Sequence, residues 1–172
     1  MEYIIHERTY ALTMVDSNYF RTKVIETNDV LYLKEDPLTI IKNSCEHYGY
    51  AFSTWNTIVK QILQRNSKLP VPILPSKGLF YVPTTSYRNK QCAWISYYQI
   101  AHYMQNNNNL KIILQNGHTI VSDISLNQFK LQLKRTSLVI AYFYDLFYLL
   151  DSQEENPTKH QLQNKAKHKP TL

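Results

Sequence analysis

The chain has 172 residues and 44% hydrophobic content, an ordinary soluble composition with room for one globular domain and a sizeable core. Its 3 glycines argue against a glycine-rich phosphate cradle, and its 2 cysteines, Cys45 and Cys92, exclude a disulfide framework. The net charge of +6 is uneven: residues 1–36 carry four basic groups against seven acids, whereas 37–92 carry seven against Glu46 alone, the footprint of a polyanion-binding surface. No apolar run reaches the roughly 20 residues that cross a bilayer. The start shows no basic segment followed by an apolar stretch. A reduced, cytoplasmic protein without membrane contact is the expectation.

In chain order, Thr9–Val15, Thr22–Thr27 and Val30–Leu33 read as short strands, the first two separated by the turn-prone Asp16-Ser17-Asn18. Asp36-Pro37 starts a helix, with aspartate as N-cap and proline at the first helical position. Leu38, Ile41, Cys45 and Tyr48 form its apolar stripe, and Gly49 ends it. A second helix runs from Ser53 or Thr54 to about Arg65, burying Trp55, Ile58, Val59, Ile62 and Leu63 and exposing Lys60, Gln61, Gln64 and Arg65. Pro72 makes Val71–Leu74 an edge strand or an extended segment, which Ser76-Lys77-Gly78 turns into Leu79–Val82. A polar basic loop, 84–91, feeds a strand at Cys92–Ile100, and Asn106–Asn109 reads as an unpacked loop. Leu110–Leu114 and Thr119–Val121 flank Asn116-Gly117, a hairpin signal for a type I′ turn. Ser125 and Gln128 form a capping box for a helix from Leu126. Its stretch from Ser137 to Leu150 is apolar on all sides but for Asp145, which places it in a core or, preferably, in an interface between copies. Residues 1–150 are read as one domain and 151–172 as a disordered polar and basic tail. The fold class is α+β: short antiparallel strands and hairpins, two central helices and a long C-terminal helix.

The loop 86–94 interleaves cations, amides and aromatics. Arg88 and Lys90 suit phosphates or a minor groove, Asn89 and Gln91 suit base edges, and Tyr87 suits stacking, while Trp94 reads as core. Lys60, Arg65 and Lys68 suit phosphate or form a solvated face. Both cysteines read as buried small hydrophobes. The histidines show no ligand spacing, so no metal or other cofactor is assigned. Acids are sparse after residue 36, and local spacing builds no paired carboxylates or Ser-His-Asp set; the chain reads as a non-enzyme. Core packing is expected to take most of the 14 tyrosines.

Three segments resemble the ComK family of competence transcription factors. They are Pro37-Leu38-Thr39-Ile40-Ile41-Lys42-Asn43-Ser44-Cys45 with Tyr48-Gly49; Gln91-Cys92-Ala93-Trp94-Ile95-Ser96 with Phe80 and Pro83-Thr84 before it; and Asn116-Gly117 leading to Ile124-Ser125, Phe129 and Arg135-Thr136. The resemblance implies a nucleoid-associated activator of DNA-uptake genes. Members bind paired A·T-rich boxes of double-stranded DNA, largely through the minor groove, as oligomers. On that reading Arg88, Asn89, Lys90 and Gln91 enter or border the groove, and Lys60, Arg65, Lys68 and Lys77 hold phosphates. Leu138, Phe143, Leu146, Phe147 and Leu150 would join copies of the chain. Longer members continue into a region tied to activation and to adaptor-guided proteolysis, and a proteolytic adaptor stays open as a further partner. Thr54-Trp55-Asn56 stands where the family pattern has a basic stretch. Two alternatives therefore stay open: a non-specific single-strand binder, and a paralogue acting through mixed oligomers without DNA.

Overall fold

The computed structural model describes residues 2–154. Two antiparallel sheets and three helices make up this α+β fold. The larger sheet has strand order β3-β2-β1-β6-β5-β4, from β1 (Thr9–Met14), β2 (Thr22–Glu26), β3 (Val30–Leu33), β4 (Val71–Leu74), β5 (Leu79–Pro83) and β6 (Trp94–Ser96). The smaller holds β7 (Ile100–Asn106), β8 (Asn109–Leu114) and β9 (Thr119–Ser122) in chain order. Both β1 and β6 are buried on both faces, which is why their sequences run apolar rather than alternating. On one face Ala11, Ile25, Val82 and Ile95 join Leu110, Ile112 and Ile120 of the smaller sheet in a single core with Phe129. Successive side chains alternate across a strand, so Leu12, Val24, Tyr81 and Trp94 line the opposite face, all buried. There α1 (Pro37–His47) packs on β1, β4 and α2 (Phe52–Leu63), and α2 on β4.

Local chemistry accounts for most boundaries. Pro37 opens α1 without forfeiting a hydrogen bond, since the first helical N–H has no partner anyway. At its end Gly49 takes φ +100°, its N–H bonds the Glu46 carbonyl, and the Tyr50 N–H reaches back to Cys45. That pair of bonds is a Schellman cap, which satisfies carbonyls the helix leaves open. The capping box forms as expected: the Gln128 N–H donates to Ser125 Oγ and the Ser125 N–H to Gln128 Oε1, each at 3.2 Å. Val71–Leu74 is an edge strand, as Pro72 requires.

Three expectations need correction. The strand expected over Cys92–Ile100 is only Trp94–Ser96; a 3₁₀ turn at Tyr97–Gln99 then starts β7, so the chain leaves one sheet for the other where one strand was expected. The asparagine run is a tight hairpin rather than an unpacked loop. Asn106 pairs with Asn109, and Asn107 turns at φ +52°, a conformation asparagine tolerates better than most residues. At Asn116-Gly117 the hairpin forms, but only Gly117 has positive φ. The Gly117 N–H bonds the Leu114 carbonyl, and the Leu114 N–H bonds the His118 carbonyl, the pattern of a three-residue loop.

The third helix, α3, spans Leu126–Glu154, so it reaches into the segment expected as tail; 155–172 lies outside the described residues. The chain divides into two compact units at Ile140 and Ala141. In the first, α3 buries Phe129, Gln132, Thr136 and Val139. In the second, Tyr144, Leu146, Phe147, Tyr148, Leu149 and Leu150 are exposed; Phe143, expected to join copies of the chain, is instead buried and has no surface to offer, whereas Leu138 of the first unit is exposed. No helix among the described residues is long and apolar enough to cross a membrane.

Polar groups tie the N-terminal segment to this frame. The Tyr3 hydroxyl donates to Glu26 Oε1 at 2.6 Å, and His6 Nε2 lies 3.1 Å from the same oxygen. Tyr81, fully buried, donates to the Thr9 carbonyl at 2.6 Å. Burial raises the pKa of both phenols, and the Glu26 carboxylate adds to it. A phenol whose folded pKa exceeds its unfolded value of about 10 holds its proton more tightly in the fold. Its stabilisation is complete below about pH 10 and is lost as pH rises further. Melting followed by circular dichroism from pH 8 to 11 is therefore expected to be level and then to fall. Tyr3→Phe should cost about 1–3 kcal/mol at pH 8 and fall less steeply in alkali; an equal alkaline slope removes Tyr3 from the effect.

Candidate nucleic-acid interface

The loop between β5 and β6 is held by its own backbone. At its base the Thr84 N–H bonds the Ala93 carbonyl at 2.9 Å, and the buried Thr84 hydroxyl accepts from the Ala93 N–H at 3.0 Å. Within it the Asn89 N–H bonds Ser86 O, the Cys92 N–H bonds Asn89 O, and Asn89 Oδ1 accepts from the Gln91 N–H at 2.9 Å. These bonds leave Arg88, Asn89, Lys90 and Gln91 exposed.

The loop lies beside the start of α1. Arg88, Asn89 and Lys90 share a cleft of about 300 Å³ with Arg21 from the end of the β1–β2 loop, Lys42 from α1, and residues 36–39. Four cations from three separate stretches thus face one hollow. Among the described residues the ion pairs are His6–Glu26 and Lys77–Glu7, so no acid pairs with Arg21, Lys42, Arg88 or Lys90. Asp36 also lines the cleft, but its carboxylate does not cap α1, whose first turn contains no acid. The positive end of the helix dipole adds to the field there. Aromatic rings lie beside two of the cations: Arg88 lies 6.0 Å from the Tyr87 ring, Tyr87 meets Phe52 edge-on at 6.0 Å, and Lys42 lies 5.9 Å from Phe52. Such contacts fix a charge without neutralising it.

Not every residue singled out from sequence reaches this cleft. Gln91, Lys60, Arg65, Lys68 and Lys77 do not line it. Lys77 sits 3.4 Å from Glu7. Lys60 and Arg65 are exposed, and Lys68 is half-buried at φ +54°. Arg65 lies near Arg135 of α3, a cation the sequence reading did not assign to binding. Burial lowers the Arg135 pKa and the like charge of Arg65 adds to it. Gln132 organises this second basic patch, donating to the Lys68 and Pro83 carbonyls and accepting from Arg135 at 2.8 Å. Arg21 and Lys42 also lie outside the sequence expectation: Lys42 has no cation near it in sequence, Arg21 has only Lys23, and the fold alone brings the two to Arg88.

Cys92 and Trp94 are buried behind the loop, as expected for core residues, and so is Cys45. Burial pushes the Cys45 thiol up to about 12 and raises that of Cys92, so neither is a ready nucleophile. The tyrosines depart from expectation: among the described residues Tyr81 alone is fully buried, Tyr10, Tyr97 and Tyr103 pack partly buried against the core, and Tyr19, Tyr32, Tyr50, Tyr98, Tyr142, Tyr144 and Tyr148 are exposed. A phenol keeps its hydroxyl wet unless a partner is supplied, and Thr9 supplies one to Tyr81. Among the described residues no cluster of His, Cys, Asp and Glu could hold a metal.

The chain matches the family described as ComK protein over residues 1–145. It is 29% identical over 125 residues to the competence transcription factor of Bacillus subtilis (strain 168), covering 72% of this chain and 65% of that relative. The match thus spans just under two thirds of the relative's length. No solved structure matches.

The loop's dependence on Thr84 is testable. Thr84→Val removes the acceptor of the buried Ala93 N–H and should cost about 1–3 kcal/mol in urea unfolding, whereas Thr84→Ser retains most of that. Equal stability of the two variants would show that the hydroxyl does not hold the loop.

Proposed function

Because the chain belongs to the ComK family, we propose that it is a competence transcription factor, as its Bacillus subtilis relative is named, binding duplex DNA at the nucleoid and activating genes for DNA uptake. The observation that carries this reading is the convergence of Arg21, Lys42, Arg88 and Lys90 on one cleft, with Asp36 beside them but, among the described residues, no acid in ion-pair contact with any of the four. A·T-rich minor grooves are narrow and strongly negative, and inserted Arg or Lys side chains are favoured there without a base-by-base code. Arg88 and Lys90 enter or border such a groove. Asn89 offers its amide N–H groups, since its carbonyl oxygen already closes the loop onto Gln91. Lys60, Arg65 and Lys68, with Arg135, serve the flanking phosphates. Lys77 contributes least, because Glu7 already neutralises it.

Binding of paired boxes needs linked copies. The second unit supports that step, since Leu146, Phe147 and Leu150 are exposed on one continuous helix. A contiguous exposed apolar surface marks an interaction site, and a second copy of this chain is the occupant we assign.

Two measurements test the reading. Anisotropy of a duplex with two A·T-rich boxes, titrated at several salt concentrations, should show tighter binding than a G·C-scrambled duplex or single strands. Arg88→Ala with Lys90→Ala should reduce the slope of log affinity against log salt by about 0.9 per lost phosphate contact. An unchanged slope removes both residues from the interface, and equal binding of single strands favours the single-strand reading. For assembly, Leu146→Lys with Leu150→Lys should sediment as a monomer with unchanged circular dichroism and lose the gain from a second box; a variant that still associates places the interface elsewhere.

A further inference from the structure

The β1–β2 loop carries Tyr19, which at 78% is the most exposed large apolar side chain among the described residues. One exposed tyrosine is ordinary; the loop that displays it is not loose. The Val15 N–H bonds the Arg21 carbonyl and the Arg21 N–H bonds Leu33 of β3, both at 2.8 Å, which closes the loop and fastens it to the sheet. Within it, Ser17 Oγ accepts from the Tyr19 and Phe20 N–H groups at 3.2 and 3.4 Å. The Phe20 ring leans on Tyr32 at 5.9 Å, so Phe20 braces the loop and leaves the Tyr19 ring standing clear. Two residues on, Arg21 lines the cationic cleft with Met14. Residues two apart are separated by at most about 7 Å of extended backbone. The braced loop thus holds the Tyr19 backbone within about 7 Å of a residue of the cleft, although Tyr19 itself does not line it.

We propose that Tyr19 is a wedge. With a duplex seated in the cleft, its ring enters one base step beside the phosphates held by Arg21, stacks on a base and partly opens the step. This rests on the reading of the cleft as a duplex-binding site. Apolar side chains that enter a step bend the duplex toward further protein contacts, and stacking on an aromatic ring tolerates any base. A protein partner fits less well: the exposed apolar group is three rings flanked by Arg21 and by Lys23, which pairs with Tyr32 across the sheet, with Asp16 the one acid of the loop. That composition suits a polyanion carrying flat bases.

The test uses the full chain and duplexes with 2-aminopurine placed singly along the A·T-rich boxes, whose fluorescence rises when a base unstacks. Fluorescence should rise at adjacent positions with the native chain and with Tyr19→Trp, but not with Tyr19→Ser. Tyr19→Ser should weaken duplex affinity roughly ten-fold while leaving the salt slope unchanged, since stacking releases no counterions. Its exposure makes misfolding no obstacle, and an unchanged melting curve would show this. Salt-sensitive duplex binding without a rise at any position, or with the same rise in Tyr19→Ser, overturns the wedge and leaves the cleft standing. Absence of salt-sensitive duplex binding overturns the cleft and the wedge together. A Tyr19→Ser variant that binds DNA like the native chain but loses self-association makes the residue a protein contact instead.

Discussion

Two residue pairs hold the large sheet together: Ala11 opposite Ile95 and Leu12 opposite Trp94, where β1 meets β6. Everything on one side of this seam (β1, β2 and β3) precedes both central helices, and β4, β5 and β6 follow them. The same pairs feed both cores. Ala11 and Ile95 face the smaller sheet, and Leu12 and Trp94 face the side covered by α1 and α2. The seam also assembles the cleft, because Met14 and Arg21 come from one half of the sheet and Arg88 to Lys90 from the loop that enters the other. The Tyr81 hydroxyl reinforces it from β5, bonding Thr9 across the central pair of strands. Contacts this distant in sequence carry a loop-closure cost that local structure cannot offset alone.

The charge arithmetic of the sequence understates the field at the cleft. Residues 1–36 sum to −3, yet they supply Arg21, while several of their acids are engaged elsewhere. Glu26 is buried against Tyr3 and His6, Glu7 faces Lys77, and Glu2 accepts from the Asn43 side chain. The acids help to fasten the N-terminal segment, and the cations of the cleft remain unpaired. A sum over a window of sequence cannot separate these roles. Paired charges cancel locally, whereas unpaired charges around a hollow with low-dielectric walls reinforce one another.

Much of the fold was legible because its signals are local. Pro37, Gly49, Pro72, the Ser125–Gln128 box and the Asn116-Gly117 turn each act within a few residues, and each stands where local chemistry put it. What was illegible depends on distance. Cys92 to Ile100 reads as one strand, since nothing in its composition marks the 3₁₀ turn at Tyr97–Gln99 that hands the chain from one sheet to the other. The tyrosines read as core because they sit among aliphatics, but the cost of burying an unpartnered hydroxyl leaves most of their rings at or near the surface. The basic loop was legible as a cluster of Arg88, Asn89 and Lys90. Arg21, Lys42 and Arg135 were not, since the residues each one meets, Arg88 for the first two and Arg65 for the third, are distant in sequence and supplied by the fold.

The division of the chain into units bears on how its parts can change independently. The cleft and its rim belong wholly to the unit that ends at Ile140, whereas the longest exposed apolar run begins after it. The family match ends at residue 145, short of Leu146, Phe147 and Leu150. A surface whose contribution is apolar area alone tolerates exchange among Leu, Phe and Tyr, because burial scales with area rather than with placed atoms. The cleft has no such latitude. Its cations act through position, set by the Thr84–Ala93 bonds, the Asn89 turn and the Phe52–Tyr87 contact. Sequence constraint is therefore expected to be tighter around the loop and the start of α1 than along the end of α3, and family likeness should be most legible where geometry, not area, carries the chemistry.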